Sequence, residues 1–80
     1  KIDDIKLEDD LFNILKFIDE QNNNNIVVTF KKISHKFSIS KVTTAKRLNK
    51  LEEKGLISIK KTGRSKMIHI SEIGMTILNR

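Results

Sequence analysis

Residues 41–74 read KVTTAKRLNKLEEKGLISIKKTGRSKMIHISEIG, and two different periodicities meet inside them at Gly55. Before the glycine, Thr44, Ala45, Leu48 and Leu51 share one side of a 100° wheel with Gly55 itself, while Val42, Thr43, Lys46, Arg47 and Lys50 spread over the other. This is an amphipathic helix with a small, apolar inner face and a basic outer one. Ser40 is placed to cap its start, and the helix is expected to reach about Lys54, where Gly55 supplies the left-handed position that ends it. After the glycine, residues 56–62 and 66–70 alternate with a period of two on either side of Thr62-Gly63-Arg64-Ser65, which predicts a β-hairpin. Pairing Ile59 with Ile68 and Ile57 with Ile70 gathers four isoleucines on one face and implies a four-residue loop. The same register sets Lys61 opposite Lys66, a like-charge pair that costs stability unless an anion lies nearby.

Working outward, Phe30, Ile33 and Phe37 recur at i, i+3, i+7 and predict a helix over residues 30–37, capped by Thr29, with Lys31, Lys32 and Lys36 facing out. Ser38-Ile39-Ser40 is a tight connection, so these two helices form a helix-turn-helix pattern. Ile26, Val27 and Val28 are β-branched but too few for an independent strand; they suit the edge of a small sheet. Asn22–Asn25 predicts a turn. Ahead of it, Leu7, Leu11, Ile14, Leu15 and Ile18 predict a first helix over residues 7–21, with Asp9 and Asp10 in the first turn where the helix dipole favours anions. Ser71 is placed to cap a last short helix over residues 72–79. The helical spacing of Phe12, Phe17, Phe30 and Phe37 assigns them to the core rather than to stacking on a single strand of nucleic acid.

The 80-residue chain has room for one domain, expected over residues 1–80, and its apolar content of 38% is enough for a thin core. It contains no cysteine, which excludes disulfides, thiolate metal sites and thiol catalysis and suits a reducing, cytoplasmic setting. Ile26–Val28 is the longest apolar run, far below the ~20 residues of a membrane span. Adjacent acids such as Asp9 and Asp10, or Glu52 and Glu53, point about 100° apart on a helix and do not form acid–base pairs. His35 and His69 lack compact carboxylate partners, so they are expected at the surface or its boundary, with no metal site. With no phosphate-cradling glycine loop and no nucleophile elbow, the sequence predicts neither an enzyme nor a bound cofactor. The chain opens on Lys1 rather than Met and is read as a trimmed or internal piece of a longer protein.

Charge is uneven along the chain. Residues 1–25 set three lysines against seven carboxylates, a net of −4, whereas residues 26–80 carry thirteen basic residues against three carboxylates, a net of +10. Such a segment repels itself unless a polyanion is its working partner. A lysine-rich solvated surface gives the same composition, so placement in the fold has to decide.

Helix, short strand, helix-turn-helix, β-hairpin and terminal helix is the order of a winged helix-turn-helix domain: α+β, a three-helix core with a short first strand, a two-stranded wing and a short C-terminal helix. The stretch quoted above resembles the recognition helix and wing of MarR-like bacterial and archaeal transcription regulators. Their leucine, acidic residue and glycine-leucine-isoleucine step is matched by Leu51, Glu52, Gly55, Leu56 and Ile57, and the step after the wing loosely by Ile70, Ser71 and Gly74. The resemblance covers residues 29–74. Thr44 departs from it, standing where members carry an apolar residue, and the long flanking dimerisation helices are absent, so ligand pockets and dimer geometry do not carry over.

The resemblance implies double-stranded DNA as the partner and transcription regulation as the function, in a cytoplasmic, nucleoid-associated protein. The residues agree with it. Ser40, Lys41, Thr43 and Thr44 at the start of the third helix suit phosphates or bases, and Val42 suits a thymine methyl. Lys46, Arg47 and Lys50 line the outer face, Arg47 being the one side chain among them with a fork for guanine. Lys60, Lys61, Arg64 and Lys66 surround Gly63 on the wing, which suits the backbone or minor groove, and a phosphate between Lys61 and Lys66 would offset their repulsion. Two other readings use the same fold: a plasmid or viral replication or partition protein, and a winged-helix module docking an acidic protein. Homodimerisation is expected through the ends of the chain, where Ile2, Ile5 and Leu7 at one end and Ile73, Ile77 and Leu78 at the other are apolar residues that a thin core is not expected to bury fully.

Overall fold

The computed structural model describes residues 7–78, which form α1 (Asp9–Asn23), β1 (Val28–Thr29), α2 (Phe30–Phe37), α3 (Lys41–Glu53), β2 (Ile57–Thr62), β3 (Ser65–Ile70) and α4 (Glu72–Leu78). Three of the helices begin on a hydroxyl that takes up an otherwise unpaired N–H. Thr29 accepts from the Lys32 N–H at 3.3 Å, Ser40 from Thr43 at 3.1 Å and Ser71 from Gly74 at 3.1 Å. Each such cap is worth about 1 kcal/mol. The α3 helix ends as its glycine requires: Gly55 has φ 74°, its N–H donates to the Glu52 carbonyl at 2.9 Å, and the Leu56 N–H reaches back to Leu51 at 3.0 Å. This pair of bonds is a Schellman motif, closed by the buried side chains of Leu51 and Leu56.

The connection between α2 and α3 is held from one side chain. Ser38 takes the left-handed conformation, the Ile39 N–H donates to the Ser34 carbonyl at 3.1 Å, and the Ser34 hydroxyl donates to the Ile39 carbonyl at 2.8 Å. Short as it is, the turn therefore leaves little freedom in the angle between the two helices.

The strands form an antiparallel sheet in the order β1-β3-β2, with Val28 opposite Ile68, Ile59 opposite Ile68 and Ile57 opposite Ile70. The hairpin register agrees with expectation, but pairing continues to Thr62 and Ser65, so the loop is the two residues Gly63 and Arg64 rather than four. Gly63 alone has a positive φ there, 60°, the requirement of a type II′ turn, whose twist matches that of the strands. Leu11, Ile14, Leu15 and Ile18 of α1 meet Ile33, Leu48, Leu51, Leu56, Ile57, Val28 and Ile68 in one buried cluster.

Several expectations need correction. The first helix starts and ends two residues later than its apolar pattern suggests and absorbs Asn22 and Asn23. Its extra turn is held by the sheet: the Asn22 carboxamide oxygen accepts from the Ile70 N–H at 2.8 Å, and its nitrogen approaches the Ile68 carbonyl at 3.5 Å. Ile26 and Val27 stay exposed, because only Val28 and Thr29 reach β3. Phe12 is 37% exposed, not core, since Leu11 and Leu15 take the inward positions beside it, while Phe17, Phe30 and Phe37 are half-buried against the cluster. On α4, Ile73 is exposed, but Ile77 and Leu78 pack on the cluster, as does Leu7, so three of the four described residues expected to need a partner are partly covered within the domain. Ile2 and Ile5 lie outside the described residues, as does the predicted end of the last helix at Asn79.

Two substitutions test these joints. A Cβ at the buried Gly74 would collide with the Leu56 carbonyl oxygen and come within 2.8 Å of the Ile70 side chain. Gly74→Ala is therefore expected to cost about 1–3 kcal/mol and lower Tm by several degrees in a thermal melt. Asn22→Ala strands the Ile70 N–H and is expected to cost about 1–3 kcal/mol in urea unfolding, with little change in m-value.

Candidate nucleic-acid interface

The inner ridge of α3 fixes what its other sides present. Thr44, Leu48 and Leu51 are fully buried, so the opposite ridge is Val42, Lys46, Asn49 and Glu53, spaced i, i+4, i+7, i+11 and all exposed. Val42 is 65% exposed. Lys41 is exposed at the start of the helix, and Ser40 and Thr43 face one another there with their hydroxyls 3.0 Å apart.

Thr44 does not belong to this surface. It has no exposed area, and its hydroxyl donates to the Ser40 carbonyl at 2.8 Å, which satisfies its polar atom inside the core. The same bond explains how a threonine occupies a position that otherwise suits an apolar side chain. Arg47 is displaced too. It lies on the shoulder of α3 toward α1, where its Nη2 is 3.2 Å from Oδ2 of Asp10, the one ion pair among the described residues. Lys50 stands beside it, in a cleft whose far wall is Glu8 and Asp10. The expected outer face of α3 thus meets the acids of α1 in a cleft that Lys46 and Asn49 line together with Arg47 and Lys50, and Val42 lies outside it.

The wing approaches the start of α2. Lys66 faces Lys61 across the hairpin as expected, but its ammonium lies 5.2 Å from the centroid of the Phe30 ring. A cation–π contact within the protein thus steadies one member of the like-charged pair. Thr29, Phe30 and Lys31 of the β1–α2 corner form a cleft with Arg64, Ser65 and Lys66 of the wing. A second cleft joins Lys31, Ser34 and His35 to Lys41. Lys31 lines both and connects the wing to the start of α3. Lys60 and Lys61 are exposed on β2. His35 and His69 are both exposed, as expected of surface residues.

The sequence did not single out Asn49 or Lys31 as site residues. Asn49 was legible as the position seven beyond Val42 and three beyond Lys46, on the same ridge. Lys31 was read as an outward lysine, and only the tertiary approach of the wing gives it neighbours. Among the described residues no group of three or more His, Cys, Asp or Glu side chains converges as metal ligands would, and no helix is long and apolar enough to cross a membrane.

Comparison with solved structures places the fold among winged helices of the MarR type. A cysteine-to-serine mutant of Lactococcus lactis ZitR is similar with a TM-score of 0.79 and 28% identity, over 95% of this chain and 51% of that one. A mutant of Staphylococcus aureus MepR bound to an oligodeoxyribonucleotide is similar with a TM-score of 0.83 and 18% identity, over 91% of this chain and 54% of that one. A MarR family protein from Bacillus stearothermophilus gives a TM-score of 0.81 and 19% identity, over 98% of this chain and 53% of that one. This chain thus spans about half the length of each of these three structures. A search of curated proteins returned no match. Against protein families, residues 3–78 match the DnaD N-terminal domain. That match takes in nearly the whole chain, the helix-turn-helix and the wing alike, and the protein belongs to the DnaD N-terminal domain family.

Proposed function

We propose that this domain binds double-stranded DNA and acts as a transcription regulator, with the ridge of α3 in the major groove and the β2–β3 wing on the neighbouring backbone or minor groove. The observation that carries this reading is the basic band from Lys41 through Lys31 to Arg64 and Lys66, whose two clefts contain no acid, together with Lys46 exposed on the outward ridge of α3. A helix of ordinary diameter fits the major groove, where its first turns reach base edges while flanking cations hold phosphates. Val42 then meets a thymine methyl, Asn49 is able to take adenine in a bidentate contact, and Lys46 reaches guanine or a phosphate. Ser40, Lys41 and Thr43 contact the backbone at the helix start, as do Lys60, Lys61 and Arg64 on the wing. The oligodeoxyribonucleotide bound by the similar MepR structure supports the reading by analogy of fold. No catalytic chemistry enters this function: the site works by charge and shape.

Fluorescence anisotropy with labelled duplex across a salt series tests it. Contact with about four phosphates predicts a log–log slope near −3.6. Lys46→Glu with Lys50→Glu, and separately Lys61→Glu with Arg64→Glu, are each expected to flatten the slope and weaken binding. Thr44→Val, which alters only a buried hydroxyl, is expected to leave the affinity unchanged. Salt-independent binding, or wing and helix variants that bind as the native domain does, would contradict the proposal.

A further inference from the structure

The Arg47–Asp10 ion pair bears on which bases α3 reads. Asp10 sits in the first turn of α1, where unpaired N–H groups stabilise a carboxylate, and its helix is seated by the buried Leu11, Ile14 and Leu15. Arg47 leaves α3 beside the buried Leu48, and its side chain is 30% exposed against 59% for Asp10. A guanidinium is a planar fork that matches a carboxylate, a phosphate or the edge of guanine, and one fork serves one of these at a time.

On the DNA-binding reading above, we propose that Asp10 is a specificity-determining residue that holds Arg47 away from the duplex, leaving Val42, Lys46 and Asn49 to read the bases. Asp10 acts as a competitor built into the fold, its Oδ2 lying 3.2 Å from Nη2 of the fork that guanine would otherwise take. With Arg47 withheld, the outward ridge favours A·T pairs, through the Val42 methyls on thymine and the Asn49 carboxamide on adenine. The hold is modest: an exposed pair of this kind gives a preference of about 1.4- to 5-fold. It therefore tunes affinity and base choice rather than switching binding on and off.

A double-mutant cycle isolates the effect. Anisotropy is measured on an A·T-rich duplex and on a duplex with guanine steps, for the native domain, Asp10→Asn, Arg47→Met and the two combined. Asp9→Asn, which removes an exposed charge from the same turn without breaking the pair, reports the general effect of a less acidic α1. Both members of the pair are solvent-accessible, and a thermal melt of each variant checks that the fold is kept. Asp10→Asn is expected to tighten binding to the guanine-containing duplex about two- to fivefold beyond Asp9→Asn, and that gain should vanish when Arg47 is Met. Arg47→Met alone is expected to change affinity for either duplex less than about twofold. A loss of about tenfold or more on Arg47→Met alone, with no gain on Asp10→Asn, would mean that Arg47 already contacts DNA, and would overturn the inference while leaving the DNA-binding reading intact. Absence of duplex binding by the native domain at low salt would overturn both.

Discussion

The burial of Thr44, Leu48 and Leu51 is the constraint on which the rest depends. Leu48 and Leu51 occupy one cluster with Ile33 of α2, Ile14 and Leu15 of α1 and Leu56 at the start of the sheet, and Thr44 is buried on the same ridge. Successive residues on a helix are 100° apart, so seating this ridge leaves no choice about which residues face water. The ridge also fixes where the hairpin begins, because the bonds that end α3 at Gly55 bring Leu56 into the core and start β2 one residue later. The wing and the reading ridge are thus positioned by the same few contacts. Ser71 ties the far end of the hairpin to this point, its N–H donating to Leu56 at 2.9 Å and its hydroxyl to Gly55 at 2.6 Å.

Charge is then sorted by the fold rather than neutralised. The acids of α1 meet α3 along one shoulder, where Arg47 is engaged and Lys46 and Lys50 line the same cleft, while Lys41, Lys31, Arg64 and Lys66 line clefts that contain no acid. Exposed ion pairs contribute little to stability, so the single Arg47–Asp10 pair matters more for where the guanidinium points than for how firmly the domain holds together. Keeping so many cations together has an electrostatic cost that an anionic backbone relieves on binding, with release of its counterions. The stacking of Lys66 over Phe30 holds one of those charges near the tip of the wing.

Most of the fold was legible because its punctuation is local. Thr29, Ser40, Ser71, Gly55 and Gly63 each act within a few residues of their own position, and the hairpin register follows from a period of two that permits one pairing of the four isoleucines. What was not legible depends on distant partners. Asn22 looks like a turn residue until the backbone of Ile70, 48 positions away, takes its carboxamide. Phe12 has the spacing of a core residue, and only the packing of its neighbours leaves it outside. The site divides in the same way. A wheel separates inner from outer residues but does not reveal that α1 supplies an acid to one shoulder, so Arg47 read as an outward cation. Thr44 carried conflicting signals, inner by position and polar by type, and its bond to the Ser40 carbonyl settles it as core.

The central claim is that one continuous surface, the outward ridge of α3 together with the wing, receives the duplex. Titrating a short DNA duplex into the ¹⁵N-labelled domain and following the backbone amide resonances tests it most directly. The account predicts shifts concentrated at Lys41, Val42, Lys46 and Asn49 and around Gly63 to Lys66, with Lys31 between them and the exposed faces of α1 and α4 unmoved. Shifts confined to α1 and α4, with the α3 ridge and wing silent, would contradict it.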